Sequence, residues 1–372
     1  IGLHNKIYLS ELDYRTHTCW IAADAFYYMY YAHAGVLNEQ QFAGQSRRDI
    51  GTLLAEGQGA WLLAMNRLLF NTVEYRSIVK ELASAAKMAA DKPMPQDRGQ
   101  MAVFIDEDTR NAVAYPYGPG LNNLSIGMGK IPLLRSGVSW DSYYLSDLEN
   151  PERHQYKVNL FAAAPTMTQA QISYVKKHLQ KDGNVLVFVN AAGITSDAGS
   201  FEKNIFELTG MKIKYAPDKT GVFRIKPVNV KDRMAEGLKD NIMTEMLQPL
   251  FYVDDSDAIV FGEINGTGKA GWAVKRFKDW TSIYIALPGA ITPELVRNIV
   301  REAGIEPIGP CDDVTTAGNG FITIHALFDG SKELHWQNKC DIVDLTSGEI
   351  IKNVNRLSLQ MQAGETRWFR KQ

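Results

Sequence analysis

The chain has 372 residues, 45% of them hydrophobic and 22% charged, which is enough for two or three domains of about 150 residues each. A formal net charge of -2, with both signs spread along the sequence, excludes the basic footprint of a nucleic-acid binder and a polybasic membrane patch, and suits a small neutral substrate. Cys19, Cys311 and Cys340 are odd in number and far apart, which argues against a disulfide framework and a zinc site with paired ligands; one bridge, such as Cys311 with Cys340, stays open.

No segment carries the roughly 18 consecutive apolar residues of a membrane span, and no basic and apolar leader opens the chain. Because the first residue is not methionine, that leaves the compartment open, with periplasmic or extracellular expected ahead of cytoplasmic.

In chain order, the first stretch predicts strand, helix, strand, helix. Lys6 to Leu12 is an apolar strand that carries Glu11 near its end, followed by Asp13, Arg15, Thr16 and His17. Asn38 to Glu56 has helical spacing, with Phe42, Ile50, Leu53 and Leu54 on one face and Gly57 and Gly59 as its stop. Ala60 to Met65 is a second strand. Val73 to Ala90 is a helix with Val73, Ile78, Leu82, Ala86 and Met88 as its apolar positions. Pro93 and Pro95 then mark a linker.

From about residue 100 to 309 strands and helices alternate in the manner of an open α/β sheet. Met101 to Ile105, Ser142 to Leu145, Val158 to Ala163 and Val185 to Val189 are wholly or largely apolar, as strands covered on both faces are. Thr168 caps a helix reaching Gln180. Leu250 to Val253, Ala258 to Glu263, Gly271 to Phe277 and Ser282 to Ala286 look antiparallel, and Pro293 to Ala303 is a closing helix with Gly304 as its C-cap. Beyond Phe321, short strands separated by Asp329-Gly330, Ser347-Gly348 and Ala363-Gly364 predict a small antiparallel β domain.

Glu11 is the leading candidate for chemistry, because a carboxylate at the C-terminal end of a barrel strand is where an α/β barrel keeps its catalytic groups. A structural carboxylate paired with a neighbour is the alternative. Arg15 could hold Glu11 ionised through its planar fork, or pair with Asp13 as a structural bridge. Trp61, in the second strand, could stack on a sugar ring or belong to the core. The stripe Trp20, Phe26, Tyr27, Tyr28, Tyr30 and Tyr31 lies where a barrel builds its site from loops, and also suits buried packing. His17 and His33 are lone histidines among aromatics. Gly266-Thr267-Gly268-Lys269-Ala270 lacks the first glycine and the final Ser or Thr of a phosphate loop, so a hairpin turn is expected there and no cofactor.

Six stretches carry a family resemblance. Asn5 to His17, with Glu11-Leu12-Asp13-Tyr14-Arg15-Thr16, then Arg47-Arg48-Asp49, then Gly57-Gln58-Gly59-Ala60-Trp61, resemble the last strands and helices of the barrel in bacterial glycoside hydrolases of the β-galactosidase family 42 type. Val185 to Val189 and its preceding helix resemble the amidotransferase-like or flavodoxin-like domain that follows the barrel there. Asn319 to Ala326 and Ala363 to Arg367 resemble the two ends of that family's C-terminal β domain.

The resemblance implies an α/β chain in three parts. These are the last strands and helices of a truncated (β/α)8 barrel over residues 1–95, a flavodoxin/amidotransferase-like α/β domain over 96–310, and a small β-sandwich-like domain over 311–372. It also implies a retaining β-galactosidase-like glycosidase with Glu11 as nucleophile, Trp61, Tyr14 and His17 as substrate contacts, and Asp13 and Arg15 in support. The acid/base glutamate of such enzymes lies upstream of the nucleophile, and a complete barrel needs roughly 250 residues. The chain alone is therefore expected to be nearly inactive, with the rest of the same polypeptide as a partner and a trimer as the assembly. Leu63-Ala64-Met65 after Trp61 departs from the polar residues relatives often carry there. A non-catalytic carbohydrate-binding or assembly protein on a flavodoxin-like scaffold is the rival expectation.

Overall fold

A computed structural model of the protein describes residues 2–14, 16–18, 37–63, 70–91, 99–108, 128–219, 221–242 and 247–372. The chain forms two compact units, one made of residues 1–98 together with 308–372, the other of residues 99–307. The first and last stretches of the sequence thus belong to one unit.

The first unit begins with β1 (Leu9–Leu12), α1 (Glu39–Ala55), β2 (Gly59–Leu62) and α2 (Val73–Asp91). Asn38 starts α1 because its side chain accepts the Gln41 amide while the Gln41 side chain accepts the Asn38 amide, a reciprocal cap worth about 1 kcal/mol. The two strands pair in parallel, Leu9 with Gly59 through Leu12 with Leu62, so β1, α1 and β2 make one βαβ crossover. Tyr75, Ile78, Leu82 and Ala85 form the buried stripe of α2 against Phe42, Ile50 and Leu54 of α1. Arg47 forks onto Glu81 with two 2.8 Å bonds and ties the helices together. Among the described residues β1 and β2 form a two-stranded sheet, not a closed barrel.

The second unit is built on five parallel strands. They are β3 (Met101–Ile105), β4 (Trp140–Tyr144) after α3 (Met128–Arg135), β5 (Val158–Ala163), β6 (Asn184–Val189) after α4 (Gln169–Tyr174), and β13 (Trp280–Ile285). Their spatial order is β4-β3-β5-β6-β13, which in chain order of these five is 2-1-3-4-5. Every residue of β5 and β6 is buried, in keeping with their largely apolar sequences. Phe104, Phe161 and Phe188 stack across three neighbouring strands at 5.1 and 5.0 Å. The helix expected over Thr168 to Gln180 keeps its threonine cap but passes into a π turn at Val175–Leu179.

Between β6 and β13 lie α5 (Phe201–Thr209), β7 (Ile213–Ala216), β8 (Arg224–Pro227), β9 (Asn241–Ile242), β10 (Leu250–Val253), β11 (Ile259–Ile264) and β12 (Lys269–Arg276). These strands extend the sheet in antiparallel fashion through β12, β11, β8 and β9, while β10 joins β7 to the edge of β12. Gly266 and Gly268, both at positive φ, turn the chain between β11 and β12, so the glycine run is a hairpin turn as its sequence predicts. Helix α6 (Pro293–Glu302) follows β13, capped by Thr292, with Gly304 at φ 74° just past its end.

The chain returns to the first unit as β14 (Val314–Gly318), β15 (Phe321–His325), β16 (Gly330–Asp344), β17 (Ile350–Met361) and β18 (Thr366–Lys371). They make one antiparallel sheet in the order β14-β15-β18-β16-β17. Stretches that suggest separate short strands fuse into the long β16 and β17, which stay paired across an irregularity between His335 and Cys340. Phe321 and Trp368 on one face join the core of α1 and α2, while Ile322, Ile324 and Phe369 on the other pack with Leu334, Ile342 and Met361. A helix, rather than a second sheet, covers the first face. Cys311 and Cys340 are free thiols, so the bridge left open by the sequence does not form; Cys19 lies outside the described residues.

Candidate functional site

Alternation along β1 separates two faces. Leu12 is buried in the helical core, and Ala60 and Leu62 of β2 pack against the same core. Leu9, Glu11 and Trp61 point the other way: Leu9 is 62% exposed, Trp61 46% exposed and Glu11 exposed. Glu11 stands directly opposite Trp61 in the parallel register, so a carboxylate and an indole share one open face beside the exposed Leu9. Leu9 and Trp61 thus place apolar surface beside the exposed Glu11 carboxylate.

Past the end of β1, the chain is tethered to the two helices. The Tyr14 ring meets the fully buried Phe42 edge-on at 5.5 Å, and its hydroxyl donates to Asp49 Oδ2 at 2.6 Å. Burial, and then the Asp49 charge, push the Tyr14 phenol far above its ordinary pKa, so it remains a hydrogen-bond donor. Arg48 Nε donates to the other oxygen, Asp49 Oδ1, at 2.7 Å. Three residues on, the exposed His17 lies with Nδ1 2.9 Å from the Tyr75 hydroxyl and Nε2 3.6 Å from Glu39. Tyr75 donates to the Leu37 carbonyl at 2.6 Å, so the bond from His17 carries its hydrogen on Nδ1. Burial raises the Tyr75 pKa, and the negative Glu39 adds to it.

Of the residues singled out from sequence, Glu11 and Trp61 share the open face, Tyr14 and His17 stand on the rim that follows, and Asp13 is half-buried between them. Arg15, the aromatic stripe from Trp20 to Tyr31, His33 and Ala64-Met65 lie outside the described residues. Asp49 and Tyr75 are the additions made by the structure. Tyr75 takes a buried position on α2 where the sequence suggested Val73, which is 70% exposed. An aspartate three positions from Ser46 on the inner side of α1 was the signal for Asp49, since a carboxylate on a core-facing turn needs a donor. Glu39 and Glu74 sit on helices, and Glu56 follows the end of α1.

The fold has solved counterparts. Over 89% of this chain and 52% of theirs it is similar to a β-galactosidase from Bacillus circulans sp. alkalophilus, with a TM-score of 0.63 at 14% identity. A catalytic mutant of a GH42 β-galactosidase from G. stearothermophilus matches with a TM-score of 0.62 at 12% identity, over 90% of this chain and 51% of that one. A β-galactosidase from the haloarchaeon Halorubrum lacusprofundi matches with a TM-score of 0.60 at 12% identity, covering 98% of this chain and 55% of its own. The chain thus has the fold of part of the GH42 β-galactosidases and spans about half the length of those it matches. No family model and no curated protein matches it by sequence.

Proposed function

We propose that the chain is the C-terminal portion of a retaining glycoside hydrolase acting on β-galactosides, with Glu11 as its nucleophile. The observation that carries this reading is the pairing of Glu11 with Trp61 on the open face of a parallel βαβ unit, in a chain with the fold of GH42 β-galactosidases. In a barrel that face lines the interior, and the exposed Leu9 and Trp61 become its wall.

Retaining glycosidases use two carboxyl groups about 5 to 5.5 Å apart: one attacks the anomeric carbon, and the other protonates the departing oxygen and then activates water. Glu11 is the attacking group. Trp61 offers an indole face to the apolar side of the sugar and His17 is the polar contact at the rim, with Asp13 and Arg15 in support, while the Tyr14 hydroxyl is engaged by Asp49. Glu39, Glu56 and Glu74 belong to helical segments behind the sheet, so the acid/base carboxyl comes from another part of the same polypeptide. Without it the leaving oxygen departs as an alkoxide, a handicap of roughly 10²- to 10⁴-fold. The 2-1-3-4-5 order of the parallel strands supports a flavodoxin-like scaffold for the second unit, and a trimer is the proposed assembly.

The test compares two forms of the polypeptide on a galactoside with a poor leaving group. The 372-residue chain is expected to be nearly inert and a form carrying a whole barrel active, with Glu11→Gln abolishing the latter. Ordinary turnover by the chain alone, or an active Glu11→Gln variant, contradicts the reading.

A further inference from the structure

We propose that Tyr14 and Asp49 are positioning residues for Glu11: the phenol, held by a carboxylate on α1, fixes the chain just beyond β1 and so sets the direction in which Glu11 meets the sugar. The inference rests on the proposed role of Glu11 and goes on to name what aims it.

Strand β1 has four residues and ends one residue after Glu11, so the backbone from Asp13 onward decides how the end of the strand is held. Several contacts among the described residues hold it. Buried Thr16 bridges to Leu37, and the His17 amide donates to the Leu37 carbonyl at 2.9 Å. The His17 ring adds its bond to Tyr75. Tyr14 is closest in sequence to Glu11, and its bond to Asp49 is charge-assisted, shorter and stronger than a bond between neutral groups.

Asp49 is itself held on both oxygens. Tyr14 occupies Oδ2 and Arg48 occupies Oδ1, so the carboxylate has little freedom to turn away. Its helix is anchored in turn: Asn319 Nδ2 donates to the Ala55 carbonyl at 2.9 Å at one end, and Thr366 Oγ1 donates to the Gly44 carbonyl at 2.6 Å near the other. A rigid element therefore fixes a donor three residues from the reacting carboxylate. Misplacing a reacting atom by about 1 Å costs on the order of 10²-fold in rate, which sets the scale of the expected effect.

The test uses Tyr14→Phe, Asp49→Asn and Asp49→Ala in the active form of the polypeptide, with Glu11→Gln beside them. Tyr14→Phe removes only the hydroxyl and keeps the ring against Phe42, and Asp49→Asn keeps an acceptor oxygen. Per folded molecule, counted by circular dichroism, kcat should fall about 10- to 100-fold in Tyr14→Phe and Asp49→Ala, with KM changed by less than about twofold. Asp49→Asn should recover part of the loss. If Tyr14→Phe and Asp49→Ala keep kcat within about twofold of the parent while Glu11→Gln abolishes it, the positioning role is overturned and the nucleophile stands. If Glu11→Gln stays active, the functional reading itself falls and takes the positioning role with it.

Discussion

Glu11 and Trp61 occupy matched positions on neighbouring parallel strands, with the helical core behind both and open surface in front. The strand period makes this arrangement a consequence of Leu12 and Leu62: with those side chains turned to the core, their predecessors must face away. A one-residue slip of β1 would turn the carboxylate to the core and expose Leu12, so the apolar residues help to fix the register that displays Glu11.

Trp61 is accessible, so removing its indole should disturb substrate more than fold. Trp61→Ala is expected to raise KM for a galactoside about 5- to 20-fold in the active form, the loss of one stacking contact of about 1 to 2 kcal/mol, while the thermal midpoint moves by only a degree or two. Steady-state kinetics together with a melting curve checks both halves. A large fall in midpoint with unchanged KM would return Trp61 to a packing role.

Gly44 tests the close approach of α1 to the C-terminal sheet. A methyl group there would lie 2.1 Å from the Gly364 carbonyl oxygen. Helix propensity alone predicts that Gly44→Ala stabilises the helix by about 0.8 to 1 kcal/mol. The overpacking should win, with a net loss of about 1 to 3 kcal/mol in chemical denaturation. The sign of the change is the result to watch.

His325 lies buried in the same interface, its Nδ1 donating to Thr366 Oγ1 at 2.7 Å while Thr366 donates onward to Gly44. Burial first, and then the positive Arg48, lower its pKa to about 4. The unfolded chain takes up this proton near pH 6.5 and the folded chain only near 4, so between those values the unfolded state binds more protons. The contribution is therefore fully present above pH 6.5, is lost as pH falls toward 4, and changes no further below that. The loss should reach about 2 to 3 kcal/mol in urea midpoints between pH 7 and 4. His325→Asn, which keeps a donor toward Thr366, should flatten that slope; an equally steep slope in the variant would assign the acid sensitivity to other groups.

Local periodicity carried the elements whose neighbours are close in sequence. The cap at Thr168, the largely apolar β5 and β6 and the turn at Gly266 all follow from residues within a few positions of one another. Helix α3 contains Pro132, which argues against a helix, and β7 and β8 are short, charged strands whose pattern depends on their partners. The packing of Phe321 and Trp368 on α1 joins residues more than 260 positions apart, and no local window holds it. The candidate site divides in the same way. Glu11 and Trp61 stand out by residue type and strand position, while the bond from Tyr14 to Asp49 spans 35 residues and needs the helix in place to exist.

The most direct measurement is covalent trapping. The active form is incubated with a 2-deoxy-2-fluoro-β-galactoside bearing a good leaving group, digested, and the labelled peptide is identified by mass spectrometry. One adduct is expected, carried by Glu11 and absent in Glu11→Gln. An adduct on any other carboxylate, with Glu11 unmodified, would contradict it.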